Sequence, residues 1–385
     1  MRGMTLALCL ALSAGSAAAQ SVAIDTQNQT ITPDMRVLDV HIGGRVKADP
    51  LPAPMPPGAM SYVHQWPGVY FEAAFAGDSV VLKFDDSFNE YRLLIDDLTP
   101  IALGQPGRSE VTVSALAAGP HRLRLEKVTE SIGQVGAFDG FYIAPSETPL
   151  PVSARARQIE FIGASGETGY GIRSAVRQCT QEVVRLTSDT QNAYAALTAK
   201  HYDADYQINA ISGRGMVRNI VNIVPDLTIP LVYPYTLLDK TAPYADAGWQ
   251  PQIVVLSLGG NDFNGAVQPG EKWKDGEELA ADFAKGYVDF VLGLHKRYPK
   301  AAILIRWMDT GNSPDLSFVH GFNDARQAVL KAAHKAGIKK IEFLLTDLDQ
   351  DRTACHGHSS LGDHQKLSTW LTAIIDAQPD FWLGK

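Results

Sequence analysis

The stretch FIGASGETGYG, Phe161–Gly171, joins an apolar run to a helical pattern through a serine set among glycines. The run that enters it from Gln158 has the length and composition of a buried strand. The glycines on both sides of Ser165 indicate a turn directly after that strand. Ligands of open parallel sheets bind at the carboxyl ends of the strands, so a hydroxyl in this place is a candidate functional group.

From residue 151 onward the chain repeats this pattern of an apolar run followed by a helical segment. Four more apolar runs have the length of strands: QINAIS (207–212), QIVVLSLGG (252–260), AILIRWM (302–308) and IEFLLTD (341–347). Helical periodicity lies between them, in GEELAADFAKGYVDFVLGLHKRY (276–298) and FNDARQAVLKAAHKAG (322–337). Strands that alternate with helices form right-handed βαβ units and a parallel sheet covered on both faces. Residues 151–385 are therefore predicted to form a three-layer α/β/α domain.

The part of the chain before residue 151 has a different pattern. Short alternating runs follow one another between turn signals, with no long helical segment: VYFEAAF (69–75), SVVLKFD (79–85), YRLLIDD (91–97), VTVSAL (111–116) and HRLRLEKV (121–128). This is typical of an antiparallel β-sandwich or jelly roll. We therefore predict a β-sandwich domain over residues 21–150.

Residues 1–20, MRGMTLALCLALSAGSAAAQ, carry an early arginine, an apolar stretch too short to span a bilayer, and small residues in an A-x-A arrangement. These features predict a secretory signal peptide, hence an exported protein, periplasmic or extracellular, with no membrane insertion. The alternative is a buried N-terminal helix. A net charge of -8, with no basic run interleaved with aromatics, argues against a nucleic-acid partner.

Two cysteines remain after the predicted signal, Cys179 and Cys355. In an oxidising compartment two such thiols can pair, and a bond would tie a segment near the first motif to a loop near the C-terminus. Two buried thiols that never meet are the equally weighted alternative.

Polar residues follow several of the predicted strands. Ser165 follows the first, Gly213 lies after the second in SGRGMVRN (212–219), and Asn261 follows the third in GGND (259–262). His358 lies in ACHGHSSLGDHQKLSTWL (354–371). A serine needs a nearby base to act as a nucleophile, and N–H donors must stabilise the negative charge of the tetrahedral intermediate. Taken singly, these features are also typical of a helix cap, a turn and a solvated histidine. Together they predict acyl transfer.

In their order and in their residues, these blocks resemble the motifs of the SGNH or GDSL-like hydrolases. They are most similar to those of the two-domain carbohydrate esterases of family 2, which include acetyl xylan esterases. The resemblance extends to HQWPGVYFEAAFAGDSVVLKF (64–84) and GPHRLRLEKVTES (119–131) in the first part of the chain. It implies a small jelly-roll domain before a flavodoxin-like SGNH hydrolase domain. It also implies a secreted enzyme that removes O-acetyl groups from a carbohydrate and needs no cofactor and no metal.

The resemblance also implies roles for single residues. Ser165 matches the nucleophile of the G-D-S motif and would donate its own N–H to the oxyanion. Gly213 and Asn261 match the second and third oxyanion donors. His358 matches the general base.

Three positions depart from the family pattern. Ala164 replaces the aspartate beside the nucleophile, which puts the rigidity of that loop in doubt. No carboxylate stands two or three residues before His358. The resemblance allows a Ser-His dyad in which a backbone carbonyl orients the imidazole; the alternatives are Asp349 or Asp351, or a Cys179–Cys355 disulfide that supplies part of the missing order. Gly357 replaces an aromatic residue that can stack on a sugar. Trp273 and Trp307 are the candidates for that stacking, unless the substrate is not the usual xylan.

Other interpretations are open to test. His356, His358 and His364 have spacings that can place imidazoles together, but no Cys/His cluster or Glu-x-x-His partner accompanies them, so a metal site is the weaker prediction. His364 is expected to pack at, or to cap, the start of the last helix. The G-x-S-x-G elbow of α/β-hydrolases is missing from the sequence. The rival functions are an SGNH lipase or thioesterase acting on a non-carbohydrate ester, and a non-catalytic glycan-binding protein.

Overall fold

Three β-sheets form the framework of the protein in a computed structural model, which describes residues 22–383 except 309, 311 and 312. The predicted signal peptide, residues 1–20, lies outside the described residues. None of the described helices is both long enough and apolar enough to cross a membrane.

Two of the sheets are antiparallel and pack face to face as a sandwich. Their strands are β1 (Ala23–Asn28), β2 (Arg36–Val37), β3 (His41–Gly43), β4 (Lys47–Pro50), β5 (Met60–His64), β6 (Tyr70–Gly77), β7 (Val80–Asp86), β8 (Glu90–Ile95), β9 (Ile101–Gly104), β10 (Gly107–Ser114), β11 (Gly119–Lys127), β12 (Gly136–Ile143) and β13 (Thr148–Leu150). One sheet has the order β1-β10-β7-β12-β5-β4, with β2 beside β12, and the other has the order β13-β6-β11-β8-β9, with β3 beside β6.

The core of the sandwich consists of the inward side chains of both sheets. Phe71, Phe84 and Phe138 are fully buried there, and their ring centroids lie 4.8 to 5.4 Å apart in successive pairs. Burial of such rings removes a large apolar area from water, which is the main favourable term in folding. The predicted antiparallel sandwich is confirmed.

The third sheet is wholly parallel. Its strands are β14 (Arg157–Gly163), β15 (Ala204–Ala210), β16 (Ile253–Leu256), β17 (Ala302–Trp307) and β18 (Ile341–Leu345). They lie in the order β15-β14-β16-β17-β18, which is the flavodoxin-like order 2-1-3-4-5. The predicted three-layer α/β fold is therefore confirmed.

Helices cover both faces of this sheet. They are α1 (Ser165–Thr168), α2 (Gln181–Thr187), α3 (Tyr194–His201), α4 (Ile229–Val232), α5 (Gly276–Arg297), α6 (Leu316–Ala336) and α7 (Leu361–Asp376). The two long helices begin at aspartate caps, since Asp275 accepts from the N–H of Glu278 and Asp315 from that of Phe318. The order of the strands reverses between β14 and β16, and in such sheets a crevice opens at that point.

Candidate active site

Ser165 lies at this crevice, directly after β14 and as the first residue of α1. A cleft of about 440 Å³ opens above it, at the carboxyl edge of the sheet. Of the four predicted site residues, Ser165, Asn261 and His358 line this cleft. Gly213 does not line the cleft. The backbone carbonyl of its neighbour Arg214 accepts a hydrogen bond from the side chain of Asn261.

The hydroxyl of Ser165 is in hydrogen-bond contact with His358. Ser165 Oγ lies 2.9 Å from His358 Nε2, across 193 positions of sequence. The other ring nitrogen, Nδ1, lies 2.8 Å from the carbonyl oxygen of Cys355. Because a carbonyl only accepts, Nδ1 carries the proton in the neutral ring, and Nε2 is left free to accept from the serine. Burial lowers the pKa of His358 below its ordinary value of 6.5, so the ring is neutral at pH 7.

A backbone carbonyl thus orients the imidazole, as the dyad alternative predicts. The carboxylate of Asp351 accepts from the N–H and hydroxyl of Thr353, and Asp349 contributes its carbonyl to Lys366. Within the described residues neither aspartate is a hydrogen-bond partner of His358, so of the two alternatives the structure favours the backbone carbonyl. The sequence could not reveal the carbonyl, because every residue has one.

The turn that carries His358 is covalently tied. Cys179 and Cys355 form a disulfide with their Cα atoms 5.5 Å apart. The ring of Tyr170 packs on His358 at 4.4 Å between centroids, and its hydroxyl contacts Nδ1 of His356 at 3.0 Å. The C-terminal histidine loop is thereby held against the loop that follows the nucleophile.

Each of the three predicted oxyanion donors has one N–H group that makes no hydrogen bond to the described residues. Ser165 begins a helix, so its N–H has no acceptor within that helix. Gly213 adopts a φ of +77°, which favours glycine, and the described part of the chain supplies no acceptor for its N–H. Asn261 donates one amide N–H to the carbonyl of Arg214 at 2.7 Å, which leaves the second for the cleft.

Asp262, next to Asn261, holds the loop that contains Gly213. Its buried carboxylate accepts from the backbone N–H groups of Met216, Val217 and Arg218 at 2.7 to 2.9 Å. Burial raises the pKa of Asp262 to about 6, and the three donors oppose that rise. The SGRGMVRN and GGND blocks are therefore one structural unit.

Glu167 holds the nucleophile loop through the backbone of Ala164. Its Oε2 accepts from the N–H of Ala164 at 2.8 Å, and its Oε1 accepts from the hydroxyl of Tyr194 at 2.5 Å. Arg306 lies 3.6 Å from the same carboxylate. Sequence reasoning missed this residue. The spacing from position 164 to Glu167, that of a capping box, was the available signal.

The predicted sugar-stacking tryptophans are not free to stack. Trp273 lies outside the cleft, and its indole N–H donates to Asp282 at 3.0 Å. Trp307 reaches the cleft wall but is only 6% exposed, and it packs against Phe322. Both are core residues, so this prediction is wrong. The aromatic ring that contacts His358 is Tyr170.

The three C-terminal imidazoles have separate partners. His356 Nε2 lies 2.9 Å from the carbonyl of Cys179, and the buried His364 accepts from the N–H of Tyr194 at 3.0 Å. His364 lies in the first turn of α7 and its ring stacks on that of Tyr194, while Ser360 caps the helix. Within the described residues, no group of three His, Cys, Asp or Glu side chains is arranged to hold a metal ion.

Comparison with known proteins connects this geometry to one family. The sequence profile of the family described as "Carbohydrate esterase 2 N-terminal" matches residues 58–152. The chain is 41% identical over 345 residues to an acetylxylan esterase / glucomannan deacetylase of Cellvibrio japonicus (strain Ueda107), covering 90% of this chain and 92% of that one. It is 30% identical to the cellulase/esterase CelE of Acetivibrio thermocellus, of which it spans 37%.

Solved structures resemble it as well. One is a carbohydrate esterase whose active site displays divergent catalytic and non-catalytic binding functions, with a TM-score of 0.81 and 39% identity over 90% of this chain and 100% of that chain. Another is a family two carbohydrate esterase from Clostridium thermocellum in complex with cellohexaose, with a TM-score of 0.70 and 26% identity over 89% of this chain and 100% of that chain.

Proposed function

The chain belongs to carbohydrate esterase family 2, and from this membership and the geometry of the cleft we propose that it is a serine esterase that removes O-acetyl groups from an acetylated oligo- or polysaccharide. The observation that carries the proposal is the 2.9 Å contact between Ser165 Oγ and His358 Nε2 in a cleft at the carboxyl edge of the sheet. A nucleophile within hydrogen-bond reach of a base that a third group orients is the arrangement required for acyl transfer.

The reaction follows from the two protonation states of His358. Nε2 takes the proton of Ser165 while Oγ attacks the acetyl carbonyl, and the imidazolium then returns that proton to the departing sugar oxygen. A water molecule attacks the acetyl-enzyme in the same way and releases acetate. The carbonyl of Cys355 keeps Nδ1 protonated through both steps.

The negative charge of each tetrahedral intermediate needs fixed donors. We assign this role to the N–H groups of Ser165 and Gly213 and to the second amide N–H of Asn261. Removal of one such donor typically lowers kcat by about 100- to 1000-fold, because a donor fixed in advance needs no reorganisation when the charge develops.

The substrate class follows from the relatives and from the lining of the cleft. The Cellvibrio relative is named for acetylxylan and glucomannan, and the Clostridium structure holds cellohexaose. In this chain Thr346, Gln350, Arg352 and Ser359 bring polar groups to the cleft wall, as a sugar with many hydroxyls requires. We further propose that the protein is exported, from the signal pattern of residues 1–20.

The test is hydrolysis of p-nitrophenyl esters from acetate to octanoate by the wild type and by Ser165→Ala. We expect activity on acetate that falls steeply with chain length and is lost in the variant by about 10³-fold or more. Release of acetate from acetylated xylan and glucomannan would then identify the polysaccharide.

Two results would redirect the search. A preference for octanoate would point to a lipase-type or thioesterase-type SGNH hydrolase on a non-carbohydrate ester. Equal inactivity of the wild type and Ser165→Ala, together with retention on immobilised glycan, would point to a non-catalytic glycan-binding protein.

A further inference from the structure

Glu130 belongs to the loop after β11, in the sandwich half of the chain, yet it contacts the loop that carries an oxyanion donor. Its Oε1 accepts from the N–H of Ser212 at 2.6 Å. Ser212 directly precedes Gly213. The hydroxyl of Ser212 also lies 3.0 Å from that of Thr168, in the short helix that begins with Ser165. Ser212 thus connects the donor loop to the sandwich through its N–H and to the nucleophile helix through its hydroxyl.

The residue after Gly213 completes a chain of contacts. The carbonyl of Arg214 accepts from the side-chain amide of Asn261 at 2.7 Å. Residues 212, 213 and 214 are therefore held by Glu130 at one end and hold Asn261 at the other. Displacement of Ser212 would move the N–H of Gly213 directly and the amide of Asn261 through Arg214.

The segment that presents Glu130 is itself fixed. The buried amino group of Lys127 donates to the carbonyl of Gln65 at 2.8 Å and to the hydroxyl of Ser131 at 2.6 Å. Thr129 donates to the side-chain carbonyl of Asn89 at 3.0 Å. Hydrogen bonds on both sides of position 130 restrict how the carboxylate can move.

Burial and nearby polar groups act on Glu130 in opposite directions. Burial raises the pKa of Glu130 above its ordinary value, and the hydroxyl and N–H of Ser212 together with the charges of Arg214 and Lys127 offset only part of that rise. Arg214 is only 4% exposed, and its Nε has no hydrogen-bond partner among the described residues. The charge of Arg214 thus acts on a carboxylate that Ser212 contacts directly through its N–H.

We propose that Glu130 is a positioning residue for the oxyanion donors, so that the N-terminal sandwich supplies a working part of the active site rather than a cover. This inference rests on the proposed esterase function. Because Glu130 acts through Ser212 and touches no reacting atom, its loss should lower the rate of the chemical step and leave binding of the ester little changed.

Three substitutions of Glu130 separate the effect of where its acceptor oxygen lies from the effect of its negative charge. Glu130→Ala removes the acceptor, Glu130→Asp keeps the charge but withdraws it from Ser212, and Glu130→Gln keeps an oxygen at the same reach without the charge. The control is Glu147→Ala, because Glu147 is also a nearly buried sandwich carboxylate that accepts from backbone N–H groups, those of Asp78, Ser79 and Ala144, none of them in the cleft. Each variant is compared for kcat and KM on p-nitrophenyl acetate, and for thermal unfolding.

A second readout reports on the donors alone. Ethylboronic acid forms a B–O bond with Ser165 Oγ, whose proton passes to His358, and the resulting tetrahedral boronate anion places one of its hydroxyl oxygens where the oxyanion forms. Its Kd therefore responds to misplaced donors, whereas a loss of stability elsewhere in the fold leaves it unchanged.

For Glu130→Ala and Glu130→Asp we expect kcat to fall by about 10- to 100-fold, KM to stay within about three-fold, and the Kd of ethylboronic acid to rise by a factor similar to the fall in kcat. Glu130→Gln should stay within about five-fold of the wild type, since an amide oxygen also accepts from an N–H. Glu147→Ala should lose stability without this change in kcat. If Glu130→Ala does not fold, the contrast between the Asp and Gln variants decides.

The inference is overturned if Glu130→Asp is active and Glu130→Gln is not, or if kcat falls with an unchanged Kd for ethylboronic acid. It also fails if the Glu130 variants match Glu147→Ala in kcat. A wild type no more active than Ser165→Ala would instead overturn the proposed function itself.

Discussion

The proton affinity of His358 sets the pH range in which the proposed mechanism can run. Nε2 accepts the proton of Ser165 only while the ring is neutral, that is, above its pKa. Burial lowers the pKa of His358 below 6.5, and the nearby charge of Arg352 lowers it further. We therefore expect the acidic limb of kcat/KM against pH to have its midpoint below 6.5.

Arg352→Gln tests the electrostatic part of that shift. Loss of a cation near the imidazole removes a penalty on its charged form, so the pKa of His358 should rise and the acidic limb should move to higher pH. The control is Arg108→Gln, an exposed sandwich arginine whose side chain is 75% accessible. A limb that stays in place in Arg352→Gln, or that moves equally in Arg108→Gln, would show that the side chain does not act on His358.

Single residues also show which parts of the site a sequence can reveal. Ser165 and His358 could be singled out because each matches a motif of the family that the sequence resembles, and the structure brings Ser165 Oγ to 2.9 Å from His358 Nε2. Glu167 was not, because a buried carboxylate that accepts from the N–H of Ala164 looks in the sequence like any helical glutamate. Contacts made by a backbone carbonyl or N–H have no side-chain signature.

The short turn Cys355–Gly357, which ends at His358, depends on its tether to Cys179. We expect the double variant Cys179→Ser/Cys355→Ser to unfold at lower denaturant, with stability reduced by about 3 to 5 kcal/mol, because the bond closes a very long loop. Its kcat should also fall, since the carbonyl of Cys355 then orients His358 less strictly, while KM changes little.

Reduction of the wild type is the companion measurement. Dithiothreitol should lower its kcat toward that of the double variant and leave the variant unaffected, with thiol alkylation to verify that the bond is open. Full activity in the alkylated wild type would show that the remaining contacts, such as the 2.7 Å bond from the N–H of His356 to the carbonyl of Arg177, hold the turn unaided.

Secondary-structure elements were predictable where one physical signal dominates. β14 was expected over residues 158–164 and spans Arg157–Gly163, because a strand buried on both faces is a continuous apolar run. β12 was not predicted, although every residue in it is buried. It contains Asp139 and Gly140, which are disfavoured in strands, and a register shift between Phe138 and Gly140 accommodates them. The helix α6 begins at Leu316, earlier than predicted, because its cap Asp315 precedes a first turn with little periodicity.

Side chains of the sandwich are buried together with side chains of the parallel sheet. Trp66 and Tyr70, from the sandwich, lie in the two apolar cores that flank the parallel sheet. Arg45 reaches Glu160 of β14 at 3.1 Å, with both side chains fully buried. The sequence did not predict this interface, because its polar residues are far apart along the chain and only the fold pairs them. We propose that residues 21–150 and 151–385 are two domains by topology that fold as one unit.

Arg45→Met tests that proposal. Removal of one partner of a buried ion pair leaves Glu160 uncompensated, which typically costs about 3 to 5 kcal/mol. If the two halves are one cooperative unit, near-ultraviolet circular dichroism, tryptophan fluorescence and calorimetry should all report a single transition, and that whole transition should move to lower temperature in the variant. The matched control is Lys47→Met, since Lys47 lies two positions away in an ion pair with Asp49 that is almost half exposed and contributes little. Two separated transitions in the wild type, or a shift confined to one of them in Arg45→Met, would contradict a single unit. The sandwich would then be an attached domain whose unfolding leaves the parallel sheet intact.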